Sequence, residues 1–401
     1  MEPQRQSTSA LVLNVRQNDL TVRARAAAEA AKAHASEVDA EARFPTESFA
    51  EIRKQRLLGI QVPQVLGGEG ASIAEIADVC YILGQACSST ALIFAMHQIK
   101  MACIVRHTKG NAAIERVLRR IAAEQLLMAS STTEGQAGGN VRSSEAAVEH
   151  DGEHVTLERK ATVISYAVEA DGVVTTARRA ADAAGSDQVL LVLLKADYTL
   201  ERLQVWDTLG MRGTHSEGFT LRARAAAEQI MPEPYDRIHA QTMVPFAHLL
   251  WGSVWAGIAA AAAGRAQAFI RHAARNSNGQ MPPGAAHFTQ AVSSLRTLRG
   301  VLAANLRSYE AIMSDEKAIS ALEFQAMITL TKVQASELAV TTVLSSLRAC
   351  GLSGYRNDTE FTIGRLLRDI LSAPLMINND RILTNLAATS LMTPLPATIS
   401  G

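Results

Sequence analysis

The apolar residues change period twice along the chain, and those two changes limit its architecture more than any other feature. Between about residues 126 and 223 the text breaks into short runs rich in Val, Thr and Leu: 126–131, 155–165, 173–177, 188–194, 203–208 and 218–223. Gly, Asp and Asn lie between them, so the runs read as strands of a small antiparallel sheet, barrel or sandwich. On both sides the text is helical. An Ala-rich, charged stretch at 23–42 follows a tail that frays up to about Ser9. A helix opened by Pro45 carries Phe49, Ile52, Leu57 and Leu58 on one face, and two more helices fill 71–106. After the strands, helices over 246–276, 288–313, 318–351 and 358–371 predict a four-helix bundle. The expected domains are a helical one at 1–125, a β domain at 126–240 and a helical bundle at 241–401.

Composition narrows the function classes. At 401 residues and 48% apolar content, the chain has enough apolar text for cores of this size. Lys and Arg balance Asp and Glu, 39 of each, so no global field draws nucleic acid or an acidic membrane. Aromatic content is 4% and no basic patch carries interleaved aromatics, which argues against nucleic acid as a partner. Cys80, Cys87, Cys103 and Cys350 form no CxxC pair and no metal-type spacing, so no metal is expected. They read as free thiols of a reducing compartment. The N-terminal text lacks the apolar stretch of a signal peptide, and the expected location is cytoplasmic. The run 246–263, FAHLLWGSVWAGIAAAAA, approaches transmembrane length. It is dominated by Ala and Gly, includes His248 and continues into Arg265 and Arg271, so it reads as a buried bundle helix with no membrane insertion. No G-x-G-x-x-G opens a helix after a strand, which excludes a Rossmann dinucleotide domain. His97, alone in an apolar helical run, reads as a packed, hydrogen-bonded residue.

Two stretches carry chemistry. The first is 127–142, LMASSTTEGQAGGNVR, with the spacing Thr133-Glu134-x-x-Ala137-Gly138-Gly139. The second is 205–216, VWDTLGMRGTHS, with Trp206-Asp207-x-Leu209-Gly210-Met211-Arg212. Backbone N–H groups in a Gly-rich loop such as 135–140 can cradle phosphate oxygens without any particular side chain, although the same text also suits an ordinary β-turn. Together with Leu58-Gly59-Ile60, Val62-Pro63, Gly67-Gly68 and the order of helices, strands and helices, these stretches resemble the acyl-CoA dehydrogenase superfamily over roughly residues 20 to 392.

The resemblance implies FAD. It places Ser131, Thr132 and Thr133 near the flavin ring and the backbone of Gly138 and Gly139 at the pyrophosphate. Gly139 replaces the usual Ser, and Thr162 stands where the family has a Trp over the flavin. Ser165 is then the hydroxyl at the flavin edge. Arg275 and Gly351 inherit contacts with a neighbouring subunit's FAD, which implies a homodimer or homotetramer. Taken alone, Arg275 also suits a helix C-terminus, where it opposes the dipole.

The family's reaction needs a base that removes the proton α to a thioester carbonyl while hydride leaves the β carbon. The implied substrate is an acyl-CoA or acyl-carrier protein, with an electron-transfer flavoprotein as acceptor. Counting from Arg368-Asp369, the family's Glu position falls on Ile377, which cannot accept a proton. The second family position falls on Ala247-His248 and makes His248 the first candidate base. Asp380 is the nearest carboxylate to Ile377 and the second candidate; it also reads as a helix N-cap. Asn379 is placed to hydrogen-bond flavin or substrate, and the main-chain N–H at 377 can still polarise a carbonyl. The expected activity is α,β-dehydrogenation. The alternative on the same fold is a monooxygenase using reduced FAD or FMN supplied by a flavin reductase, since such relatives lack the Glu. A non-catalytic flavin-binding subunit is the third reading.

Overall fold

The computed structural model describes residues 4–134, 142–392 and 398, with side chains from Asp19 onward. The first helix, α1 (Gln4–Glu41), begins well before the expected position. Ala24, Ala27, Ala28, Ala31, Ala35 and Val38 form its buried face, small enough for close packing against α3 (Ile73–Ala86). Between them lies α2 (Thr46–Lys54), and α3 opens with a Ser72/Glu75 capping box. Next come α4 (Ser88–His107) and α5 (Ala112–Glu124).

The β region contains β1 (Met128–Ser131), β2 (Glu149–Asp151), β3 (His154–Ile164), β4 (Gly172–Arg178), β5 (Gln188–Leu194), β6 (Tyr198–Gln204) and β7 (Glu217–Ala226). They form two sheets, in the orders β1-β4-β5 and β2-β3-β7-β6. The second is antiparallel throughout, with a bulge in the β3–β7 register between Ala161 and Ile164. The first corrects the sequence expectation, because β1 and β4 run parallel. The chain leaves β1, passes through β2 and β3 of the other sheet, and re-enters beside β1 in the same direction. The strand expected at 203–208 lies earlier, at β6. The text after it folds back on itself, with Trp206 Nε1 donating to the Met211 carbonyl at 3.1 Å.

The second helical region holds α6 (Tyr235–Ile238), a π-helical turn (His239–Met243), α7 (Val244–Asn276), α8 (Ala285–Ile312), α9 (Glu316–Ser320) and α10 (Leu322–Tyr355). The long helix expected at 358–371 is instead α11 (Gly364–Ile370), then α12 (Ser372–Leu375), with α13 (Asn379–Met392) beyond a turn. Ile377, at φ +50°, ends the helical path between α12 and α13. Helices α3 and α7 touch backbone to backbone: a Cβ on Gly84 would lie 2.6 Å from the Val254 carbonyl oxygen, and one on Gly257 2.4 Å from that of Tyr81. Two helical stretches, Ser88–His107 and Tyr235–Asn276, are long and apolar enough to cross a membrane. Their apolar windows are 89% and 83% buried within the fold, so here they are its core.

Candidate functional site

A cavity with a volume of about 630 Å³ collects several of the sequence-marked residues. It lies where α4, the ends of β1 and β3, the 206–216 loop, the start of α7 and the α11–α12 segment meet. Its two sides differ in chemistry. The sheet side presents hydroxyls: Ser130, Thr132 and Thr133 from β1 and its exit, and Ser165, Thr214 and Ser216 from the second sheet's edge. Ser165 and Ser216 share a hydrogen bond at 2.7 Å, Ser216 and Thr214 another at 2.8 Å, and Thr214 donates to the Met211 carbonyl. The helix side is mostly apolar. Leu92, Met96 and Ile99 form one stripe along α4, opposed by Ala247 and Trp251 of α7 and by Leu375, Met376 and Ile377.

The 206–216 loop is held in place by the Arg368-Asp369 pair. Asp369, buried in α11, accepts from the Met211 N–H at 2.7 Å, and burial raises its carboxyl above the usual range. Arg368 bonds the Leu209 carbonyl at 3.0 Å and pairs with Asp39 of α1. Gly210 is required there, since a Cβ would lie 2.2 Å from the Arg368 carbonyl oxygen.

The sequence candidates separate cleanly in space. Thr132, Thr133 and Ser165 line the cavity together, as does Ile377. Ser131 does not: alternation along β1 turns it away from Ser130 and Thr132, and its fully buried Oγ has no partner among the described residues. Gly138 and Gly139 lie outside the described residues. His248 is not a cavity residue, although its neighbour Ala247 is. One residue is about 100° around a helix, which turns the imidazole toward α10. There its Nδ1 meets the Ile328 carbonyl at 3.0 Å, and burial pushes its pKa down to about 4. Asp380 is exposed and also outside the lining. It is not the cap of α13, because Asn378 Oδ1 accepts from the N–H groups of Asp380 and Arg381. Asn379 is buried and fully engaged: its Oδ1 accepts from Lys332 at 2.7 Å, and its Nδ2 donates to Ser336 and Glu337. Arg275 and Gly351 are both exposed and outside the cavity, with Gly351 at φ +55°. His97 is a packing residue: Met128 N–H donates to its Nδ1, so its Nε2–H donates to the Leu58 carbonyl.

Among the described residues that line the cavity, none is Asp or Glu. The nearby Glu134 is committed elsewhere. It sits 3.1 Å from buried Arg159 and accepts from the Ser144 hydroxyl and the Glu145 N–H. The ionisable lining residues are Arg368 and Lys100. Lys100 escaped the reading of the sequence. It lies in the same apolar run as His97, and its signal was its place on the Leu92–Met96–Ile99 stripe, at i+8 from Leu92.

A flavin fits this arrangement. Its ring system has a polar pyrimidine edge and an apolar benzenoid edge, and the cavity offers a hydroxyl side and an apolar side.

Comparison with known proteins agrees in fold and differs in named chemistry. The family model "Acyl-CoA dehydrogenase, N-terminal domain" matches residues 16–125. The probable acyl-CoA dehydrogenase YngJ of Bacillus subtilis is 24% identical over 345 residues, covering 84% of this chain and 87% of that protein. Among solved structures, FMN-bound TdsC from Paenibacillus, a dibenzothiophene monooxygenase, superposes with a TM-score of 0.81 at 18% identity. That match covers 94% of this chain and 98% of TdsC. Methanesulfinate monooxygenase MsuC from Pseudomonas fluorescens has a TM-score of 0.80 at 18% identity, with the same coverage of 94% and 98%.

Proposed function

The chain belongs to the acyl-CoA dehydrogenase superfamily, a flavin-enzyme fold, and from that premise we propose that it is a flavin-dependent monooxygenase rather than a thioester dehydrogenase. One observation carries the choice: no carboxylate lines the cavity among the described residues, and Ile377 stands where the dehydrogenase base is expected. Proton abstraction α to a thioester needs a base within hydrogen-bond reach. His248 is turned to α10, Asp380 lies outside the lining, and Glu134 is paired. Oxygen insertion does not need that base. The monooxygenases TdsC and MsuC share the fold.

A reduced flavin held by these residues would supply the two electrons needed for one atom of O₂ to enter the substrate and the other to leave as water. The chain's own residues bind, orient and exclude water. Thr132, Thr133 and the Ser165–Ser216–Thr214 hydroxyl chain would hold the polar edge of the flavin. Trp251, Met96, Leu92 and Leu375 supply the apolar wall against which a substrate body packs and water is excluded. FMN or FAD delivered by a flavin reductase is the cofactor of this reading.

The second reading is α,β-dehydrogenation of an acyl-CoA, favoured by the sequence relatives named as acyl-CoA dehydrogenases. One experiment separates the two. The flavin-loaded protein is mixed without oxygen with acyl-CoAs of increasing chain length, and flavin absorbance is followed. The monooxygenase reading expects no bleaching, together with transfer of ¹⁸O from ¹⁸O₂ to an organic product when a flavin reductase is supplied. Anaerobic bleaching by any of the acyl-CoAs overturns it.

A further inference from the structure

Among the described residues, Lys100 is a buried cation without an anion. It is 2% exposed, and its Nζ has one polar contact among those residues, Met243 Sδ at 3.5 Å. A thioether is a weak acceptor, and an ammonium has three donors to satisfy. The carboxylates beside or bonded to the cavity wall are already occupied. Glu134 is paired with Arg159, Asp369 with the Met211 N–H, and Asp39 with Arg368. The other ionisable groups closest in influence are Arg159, a second cation, and Cys103, whose thiol burial pushes up to about 11 and so keeps neutral. Burial drives Lys100 itself down to about 8.

An unpaired buried ammonium is costly to keep, so its retention calls for a partner that arrives with a ligand. The cavity lies against it. Lys100 continues the α4 stripe two turns beyond Leu92, about 12 Å along the helix axis at 1.5 Å per residue. The opposing Met243 comes from the π-helical turn His239–Met243, a rare element that is often found at functional sites. Arg368, the other ionisable lining group, is held by Asp39 and the Leu209 carbonyl.

We propose that Lys100 is a specificity residue that binds an anionic oxygen group, a carboxylate or similar oxyacid, at the inner end of an otherwise apolar substrate. The inference rests on the reading of this cavity as the substrate site. A neutral substrate of the same shape leaves the ammonium unpaired, so the acid is preferred by roughly tenfold or more. The acid group has two possible sources: a small free acid, or the far end of an acyl thioester.

The test uses matched pairs. Binding of 3-phenylpropanoate is compared with that of 3-phenylpropanamide, and binding of adipoyl-CoA with that of hexanoyl-CoA. The readout is the fluorescence of the cavity tryptophans Trp206 and Trp251, with flavin content measured separately. The expected result is a preference for the acid in one pair, and which pair shows it identifies the source. In Lys100→Met the preference collapses while flavin remains bound; Lys100→Gln serves if the Met variant does not fold. Equal binding within both pairs overturns the proposal. So does a Lys100 variant that keeps the preference, or one that loses flavin while keeping it. A protein that takes up no flavin but still discriminates through Lys100 defeats the monooxygenase reading and leaves this one standing.

Discussion

Ile377 holds a left-handed backbone, φ +50°, that β-branched residues rarely adopt and that costs about 1–3 kcal/mol. The next two residues hold that backbone in place. Asn378 Oδ1 caps α13, and Asn379 is bound to Lys332, Ser336 and Glu337. The turn therefore keeps its shape whatever side chain sits at 377, and that side chain lines the cavity. Ile377→Glu should place a carboxylate where a thioester's α-proton would be removed. General-base assistance contributes ~10²–10⁴-fold, so the variant should gain anaerobic bleaching by acyl-CoAs at least ~10²-fold faster than the parent. Stopped-flow absorbance of the bound flavin checks this, and equal rates in the two proteins would show that base absence is not what separates them. At this scale the sequence was partly legible. Counting from Arg368-Asp369 brought Ile377, and motif position brought Thr132, Thr133 and Ser165, to one cavity. His248 was not legible, because choosing it over Ala247 depends on helix rotation, which packing against α10 decides. Lys100 was missed because a lysine in an apolar run reads as a surface interruption until the helix is seen to be buried.

Among the elements, the 206–216 loop depends on α11 more than on its own sheet. The residues that read as a family motif are the residues of this latch: Trp206 closes on the Met211 carbonyl, Gly210 lies against Arg368, and Asp369 takes the Met211 N–H. Gly210→Ala forces a Cβ to within 2.2 Å of a carbonyl oxygen, so the loop must retreat and release Asp369 as a buried, unpaired carboxyl. The expected loss is about 2–4 kcal/mol, read as a lower urea midpoint, with weakened flavin binding because Thr214 and Ser216 move with the loop. Full stability with normal flavin content would refute the latch. A second element test addresses the turn after α12. Asn379→Ala strips Lys332 of its main acceptor deep in the bundle and should cost about 3 kcal/mol by the same measurement. Helix existence was readable from periodicity almost everywhere, and strand existence from the Val/Thr/Leu runs. Strand direction was not, since the parallel β1–β4 pair follows from a path through the other sheet. Nor was the break between α11 and α13, which turns on one left-handed residue.

Across the whole molecule, Lys and Arg balance Asp and Glu at 39 each, so net charge does not set the response to pH. Buried histidines do. His97 and His248 both donate to backbone carbonyls as neutral rings, and burial holds each pKa at about 4. An unfolded histidine titrates near 6.5. As pH falls below that value the unfolded chain takes up protons that the folded chain refuses, and stability declines until about pH 4, below which the effect is complete. The limiting slope is about 1.4 kcal/mol per pH unit for each such histidine. His215 acts in the opposite sense: its bond to Glu169 raises its pKa, so its contribution is full below about 6.5 and fades as pH rises through the raised value. The paired carboxylates, Glu47 and Glu51 among them, have lowered pKa values and yield only at more acid pH. Between pH 6.5 and 4.5 the buried histidines therefore dominate. Urea midpoints at pH 7.5, 6.0 and 5.0 should fall steadily. His248→Gln keeps a donor for the Ile328 carbonyl but has nothing to titrate, so it should flatten that fall by about the share of one histidine. An unchanged slope would mean that His248 takes up its proton without loss of the fold.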